Sequence, residues 1–311
     1  MTNTFDTYDA VGNKEDLENV VRNVSPTETP FISMVNQVKV TSTNHEFQTD
    51  ALAAAAANAK IEGDDLTASA ITATTRLGNR TQIMNKVFLV TASQDAMNSA
   101  GRDKELTYQK VKHAQELKRD MEYNIVGVNN AKVTGNATTA RELASVQAWI
   151  TTNTSKASDG TDPTGDGTDA RTDGTQRALT EAMVKTVLKE CFTEGGSPDC
   201  ILVGPFNKQV ISGFGANATR FNEAESKKAF AAVHFYDSDF GVLKIIPDRF
   251  SRERDALILD KNYWSIGKFR PMTEKRLAES GFYEKWAIET EITLVSGNEK
   301  ASGIVADLTT S

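Results

Sequence analysis

VKVTSTNHEFQTD, residues 38–50, and TQIMNKVFLVT, residues 81–91, decide how this chain folds, because of what lies between them. Val38, Val40 and Phe47 predict one extended strand; Ile83, Val87 and Leu89 predict a second. Between them run small and charged residues: the alanines Ala53–Ala57, the acidic knot Glu62-Gly63-Asp64-Asp65, and a stretch rich in Thr and Ala. A lone two-stranded hairpin is marginal in water, and its edges invite pairing with another chain. An arm over 38–91 therefore makes sense when a neighbouring copy covers it.

Outward from the arm, residues 1–37 predict two short amphipathic pieces. Asn13 can cap a helix that carries Leu17, Val20, Val21 and Val24, and Ser25-Pro26 ends it. Thr29-Pro30 starts a second, with Phe31, Ile32, Met34 and Val35 as its apolar side chains. Such pieces do not make a domain; they dock on something, and Phe31 is the candidate contact. After the arm come a short helical turn near 93–98 and the longest helix, expected over 102–126. Val111, Ala114, Leu117, Met121, Ile125 and Val128 form its single apolar stripe. At about 1.5 Å per residue this helix is roughly 37 Å long. Its other faces mix Lys104, Lys110, Lys112, Lys118 and Arg119 with Asp103, Glu105, Glu116, Asp120 and Glu122, which reads as a solvated face or as a beam touching neighbours through charge.

Residues 151–176 are Thr, Asp, Gly and Ser, with five Asp against one Lys and one Arg, and predict a mobile surface loop or linker between two unlike halves. The order Asp-x-Asp-x-Asp-Gly with a following Glu is missing, so this is not a calcium loop of the usual kind. The second half predicts mixed α/β structure. Thr180 opens a helix carrying Met183, Val184, Val187, Leu188, Cys191 and Phe192, and Gly195-Gly196 stops it. Strands follow at 201–203, 230–236, 242–246, 257–259, 263–269 and 286–295, with a further helix at 206–214, and 303–308 closes the chain.

Bulk properties narrow the function classes. The chain has 311 residues, 39% hydrophobic and 7% aromatic, and a net charge of −7. It lacks the basic stripe of a free-standing nucleic-acid binder, which does not exclude a protein that encloses DNA. No apolar run approaches the roughly 18–20 residues of a membrane helix, and the polar start lacks the order of a signal peptide, so the protein reads as cytosolic where it is made. Cys191 and Cys200, the only cysteines, read as core residues rather than a disulfide or metal pair. His45, His113 and His234 stand far apart, without metal-ligand spacing or a supported catalytic partner. Gly213-Phe214-Gly215-Ala216-Asn217-Ala218 fits a dinucleotide loop in letters but follows a helix instead of a strand. Trp149, Trp264 and Trp286 read as core or interface anchors. No cofactor and no metal is expected. Glu62, Asp64 and Asp65 near the arm tip, and Arg76 and Arg80 on its return, are of opposite sign; they are solubilising, or they set register against a neighbouring subunit.

Taken in order, several segments resemble the tailed-phage major capsid proteins of the HK97-like fold, and within them the SU10-like major head proteins. They are Ser25-Pro26-Thr27-Glu28-Thr29-Pro30-Phe31, His45-Glu46-Phe47-Gln48-Thr49-Asp50, Glu62-Gly63-Asp64, and Glu105-Leu106 through Glu116-Leu117-Lys118-Arg119-Asp120-Met121-Glu122-Tyr123. Leu259-Asp260-Lys261-Asn262-Tyr263-Trp264, Arg270-Pro271 and Gly303-Ile304-Val305-Ala306-Asp307-Leu308 complete the set. The likeness spans nearly the whole chain and is weakest at 151–176. It implies an α+β HK97-like capsid fold: an N-terminal arm at 1–37, an extended E-loop hairpin at 38–91, and a peripheral domain with the long spine helix at 92–150. The linker at 151–176, an axial α/β domain at 177–262 and peripheral return strands at 263–311 follow.

The implied partners are copies of the chain itself, as hexamers and pentamers of an icosahedral shell around packaged double-stranded DNA, with no membrane. Portal, scaffold and decoration proteins are further partners of such shells. The implied location is the virion, assembled in the host cytoplasm. Some members of the fold carry a Lys–Asn isopeptide link; Lys60 lies where such a lysine would sit, without a partnering signal. Two other readings remain: an encapsulin-like compartment of the same fold, and a soluble α/β enzyme using the second half.

Overall fold

Apolar side chains in this chain alternate along strands that are covered on one face or on both, and that difference separates two sheets. The computed structural model describes residues 27–63, 68, 70–97, 104–214 and 235–310. The expected helix at 13–24 and residues Asp64, Asp65 and His234 lie outside them, as does most of the dinucleotide-like stretch.

In chain order the first half contains α1 (Pro30–Met34), β1 (Asn36–Lys39), β2 (Asn44–Thr49), β3 (Thr75–Arg80), β4 (Gln82–Thr91), α2 (Ala92–Ala96) and α3 (Glu105–Glu122). A π-helical turn at Tyr123–Gly127 continues α3. The second half contains β5 (Thr154–Ser155), α4 (Glu181–Thr193), β6 (Cys200–Val203), α5 (Pro205–Ser212), β7 (Phe235–Ser238), β8 (Gly241–Pro247), β9 (Ala256–Leu259), β10 (Trp264–Arg276), β11 (Tyr283–Ser296) and β12 (Gly303–Val305).

One sheet has the order β1-β10-β11-β4, a second the order β5-β12-β9-β6-β8-β7, and β2-β3 form a separate ribbon. The expected pairing of the arm is corrected in two places. β1, with Val38, runs parallel to β10, while β4, with Ile83, Val87 and Leu89, pairs antiparallel with β11 over ten residues. Only β2 and β3 pair as a hairpin, Asn44 opposite Arg80 and Thr49 opposite Thr75. The second expected strand is β4, and its two faces differ. Ile83, Val87 and Leu89 are exposed, and Met84, Phe88 and Val90 are the buried set. Both phases of this strand are apolar, so alternation alone does not choose between them; α3, which packs on the Phe88 side, does.

α3 presents Leu117 and Met121 to the first core, and the π turn adds Ile125 and Val126. Val111, expected on the same stripe, is exposed, whereas Leu106 and Ala114 of the same helix pack against this core. Phe31, Met84, Phe88, Leu117, Met121, Ile125, Trp149, Trp264, Ile288 and Leu294 belong to this core.

The second sheet divides its side chains by parity. Cys200 and Leu202 of β6, Leu257 and Leu259 of β9, and Ile304 of β12 join the first core. Ile201 and Val203, Ala256 and Ile258, and Val305 face α4 and α5, against Val184, Val187, Leu188, Cys191 and Ile211. With both faces covered, these strands read as continuous apolar runs. β12 pairs with β9 and β5, so it belongs to this sheet and not to the first, where its place at the end of 263–311 had put it.

Residues 151–176 also differ from the expected mobile linker. β5 lies here, paired with β12. Arg171 is buried; it forms an ion pair with Asp162 and donates to the Ile150 carbonyl at 2.8 Å. The Asp307 carboxylate accepts from the Ala157 and Gly174 N–H groups at 3.0 and 2.7 Å. Asp159 accepts from both the N–H and the hydroxyl of Thr175. The segment has little apolar material to bury, and side-chain to backbone hydrogen bonds fix it instead. Among the described residues no helix is long and apolar enough to cross a membrane.

Candidate functional site

The β2-β3 ribbon is anchored at its base and free at its far end. Asn79, wholly buried on β3, donates to the carbonyls of Ala144 and Leu294 at 3.2 and 2.9 Å and accepts from the Ala144 N–H at 2.9 Å. Lys132 donates to the Gly78 and Asp166 carbonyls at 2.8 and 2.7 Å. The Phe47 ring packs on Trp149, centroids 5.7 Å apart. Behind the base, Glu291 on β11 is buried. It accepts from the Thr81 hydroxyl at 2.6 Å and pairs with Arg141 and Arg270 at 2.6 and 3.0 Å. These contacts connect the ribbon to three parts of the body, so its direction is set by the chain itself.

Beyond Thr49 and before Thr75 the described residues form no strand or helix. Leu52 is 99% exposed, Ile61 81% and Ile71 98%. Aliphatic side chains so fully in water, on a segment held away from its own core, make a surface without an intramolecular use. Glu62 is exposed in the turn at the tip, followed by Gly63 at φ 86°.

Arg76 and Arg80 stand on one face of β3 and line a hollow with Asn44, Glu46, Lys132 and Asp166. Arg76 pairs with Glu46 across the ribbon, largely in solvent, where such a pair contributes little. Gly78 permits that crossing: a Cβ there would lie 2.8 Å from the Glu46 Cγ. Arg80 is half-buried, its N–H given to the Asn79 side chain at 2.9 Å. The expected contacts Glu62, Arg76 and Arg80 are thus all on the arm, the acid at the tip and the two cations near the root.

Phe31 is not on that surface. It is completely buried in the chain's own core, a correction to its expected role in an inter-subunit contact. The residue that holds it escaped sequence reasoning. Glu122, counted there among the charges of a solvated helix face, is wholly buried. Its two oxygens accept from the Phe31 N–H at 2.6 Å and the Ile32 N–H at 3.0 Å, which docks α1 on the end of α3. Burial pushes its carboxyl up to about 8, against the pull of these two hydrogen bonds and with a further push from Asp248.

A second apolar surface lies on β4. Ile83, Val87 and Leu89, each about half exposed at 49%, 45% and 57%, line the outer face of this edge strand. Phe282, just before β11, is 97% exposed. Among the described residues no group of three or more His, Cys, Asp or Glu is placed to hold a metal ion.

Solved capsid proteins superpose on this chain over nearly its whole length. The capsid of a native GTA particle superposes with a TM-score of 0.66 at 9% identity, over 97% of this chain and 98% of that chain. A structure from Gordonia phage Cozz does so with a TM-score of 0.63 at 11% identity, over 96% and 92%. At these identities the likeness speaks for the fold alone, an α+β fold of the HK97-like capsid kind. In sequence, the major capsid protein of Escherichia phage Phieco32 is 27% identical over 337 residues, covering 97% of this chain and 96% of that protein. The family model described as SU10 major capsid protein matches residues 1–309. A match that runs through both sheets, the ribbon and the Asp-rich segment alike places the whole chain in one family: it belongs to the SU10 major capsid proteins.

Proposed function

We infer that this major capsid protein closes its shell by laying the arm of each copy on the outer face of the next. The observation that carries the reading is the contrast within the ribbon. Its root is fixed by Asn79, Lys132 and Phe47, while Leu52, Ile61 and Ile71 stand almost fully in water. The exposed strip Ile83, Val87 and Leu89 is the complementary apolar surface. Covering both removes apolar area from water, at about 25 cal/mol per Å². A contact between two different patches is head-to-tail, and such contacts close into rings. Hexamers and pentamers of this kind, joined into an icosahedral shell around double-stranded DNA, are the proposed assembly.

On this reading β2, β3 and the stretch between them are the E-loop, α3 is the spine helix, and residues 1–37 are an N-terminal arm. Residues 92–150 carry the spine, 177–262 face the ring axis, and β10 and β11 return to the peripheral sheet. The work is mechanical, with no reaction catalysed. The virion is the proposed location, with assembly in the host cytoplasm; portal, scaffold and decoration proteins are candidate further partners.

The test is to replace residues 51–73 with a two-residue Asn-Gly turn, which suits a β2-β3 hairpin. The subunit is expected to unfold at its native denaturant concentration yet form no shells by electron microscopy. Normal shells from this variant would overturn the reading. Boiled particles are expected to give a single monomer band on denaturing gels, since Lys60 has no assigned covalent partner.

A further inference from the structure

Glu122 sits where three elements meet. α1 lies over it through the two N–H bonds at 2.6 and 3.0 Å. The π turn at Tyr123–Gly127 follows it, and the loop between β8 and β9 closes the third side. That loop comes close because position 127 is glycine: a Cβ there would lie 2.2 Å from the Phe250 carbonyl oxygen. The Val126 carbonyl accepts from the Arg252 N–H at 3.1 Å and from the Gln147 amide at 2.6 Å, which fixes the junction. π turns inside helices often mark functional positions.

The charges around Glu122 do not neutralise it. α1, Pro-Phe-Ile-Ser-Met, has no titratable side chain, and neither does the turn Val146–Ala148. The β8–β9 loop brings Asp248, itself buried, with one oxygen accepting from the Phe250 N–H at 2.9 Å and the other without a partner among the described residues. In the same loop Arg252 is committed to Asp255 and Asp173. On α3, Arg119 lies over the Phe250 ring at 5.4 Å, and Asp120 pairs with Lys86 of β4 at 2.6 Å. Among the described residues Glu122 has no ion-pair partner, and the charge that acts on it is that of another carboxyl, Asp248.

We propose that Glu122 is a proton-operated latch: protonated, it holds α1 on the end of α3, and its ionisation releases α1. Lifting α1 removes the two N–H groups that lie on the buried carboxyl. The sign follows from the direction of the shift. The closed state holds its proton up to about 8, and the open state exposes a carboxyl of ordinary value 4.5. The closed form is therefore favoured most at low pH, and its advantage falls as pH rises through the window between those values. Within it the open-to-closed ratio rises about tenfold per pH unit and levels off above the upper value.

The experiment places a nitroxide on Ser33→Cys, an exposed position of α1, in the purified full-length chain. Cys191 and Cys200 are buried and stay unlabelled. The ratio of mobile to immobile spectral components is followed from pH 6 to 9. It is expected to rise about tenfold per unit up to pH 8 and then flatten. Asp248→Asn removes the repelling carboxylate, which lowers the closed-state value, and is expected to bring the levelling-off to lower pH with a smaller final ratio. Glu122→Gln is expected to remove the pH dependence. A ratio constant from pH 6 to 9 overturns the latch, as does a rise that persists in Glu122→Gln. If Glu122→Gln does not fold, Asp248→Asn decides: a levelling-off unmoved in pH and height refutes the proposal. The shell-forming role is untouched by either result.

Discussion

Trp264 donates its indole N–H to the Ser302 hydroxyl at 2.9 Å, which fastens the first strand of the returning β10-β11 pair to the approach to β12 in the other sheet. Both residues are fully buried, and the same hydroxyl accepts the Asp260 N–H at 3.2 Å. Ser302→Ala leaves two buried donors unmet, each worth about 1–3 kcal/mol. The urea midpoint of the unassembled subunit is expected to fall accordingly with an unchanged slope. An unaltered midpoint would mean that water replaces the hydroxyl.

Arg171 is expected to be among the costliest charges to remove. Its guanidinium is buried against Asp162 and the Ile150 carbonyl. Arg171→Met leaves Asp162 with Lys156 and the Thr154 hydroxyl, so the cost is expected to fall below the roughly 3–5 kcal/mol of a buried charge left without any partner. Burial by itself would raise the Asp162 carboxyl; the Lys156 hydrogen bond and the Arg171 charge outweigh it and hold the group below its usual 3.8. A depressed carboxyl stabilises the fold above its unfolded value, and that contribution is lost as pH falls through the folded one. The native subunit should therefore lose stability below about pH 4, and Arg171→Met should show a shallower acid limb.

The two faces of β4 should respond in opposite ways. Leu89→Asp, on the exposed face, is expected to change subunit stability by about 0.5 kcal/mol or less, as surface substitutions do. It should nevertheless abolish shells, because it puts a charge on the proposed seat of the neighbouring arm. Phe88→Ala, one residue earlier, empties the core and is expected to cost about 3–5 kcal/mol. Thermal melting of subunits and electron microscopy of assembly reactions separate the two. Shells of normal yield from Leu89→Asp would remove this face from the contact.

Neither cysteine should react in the native protein. Burial pushes both thiols up to about 12, with nearby carboxylates adding to it. A chromogenic disulfide reagent at pH 8 is expected to find no thiol in the folded subunit and two in denaturant. A native thiol titrating at that pH would place Cys191 or Cys200 at the surface.

Much of this fold was legible, and the misses share a cause. The period of α3 and α4 was readable because Leu117, Met121, Val184 and Leu188 recur at helical spacing over several turns. The strands of the second sheet were readable because Cys200–Val203 and Ala256–Leu259 are unbroken apolar runs. Which strands pair was not readable. Val38, Phe47 and Val87 look alike in a window of ten residues, while their partners Gly267, Leu77 and Ala287 lie at very different distances along the chain. The Asp-rich segment was misjudged because loop composition is silent about where acceptors find donors. Glu122 was invisible for a related reason: a single carboxylate on a charged helix looks solvated until the segment that covers it is placed. The arm itself was legible, since Ala53–Ala57 and its surroundings offer nothing to pack.

The position of β12 also sets a schedule. Residues 303–305 fill the place between strands made much earlier, at 154–155 and 256–259. Until the ribosome has passed them, those strands present bare edges, which are sticky towards other chains. Competence to associate thus arrives late in translation, after most of the polypeptide has already emerged. A product cut short before residue 303 would carry two open seams, the kind of edge that favours aggregation.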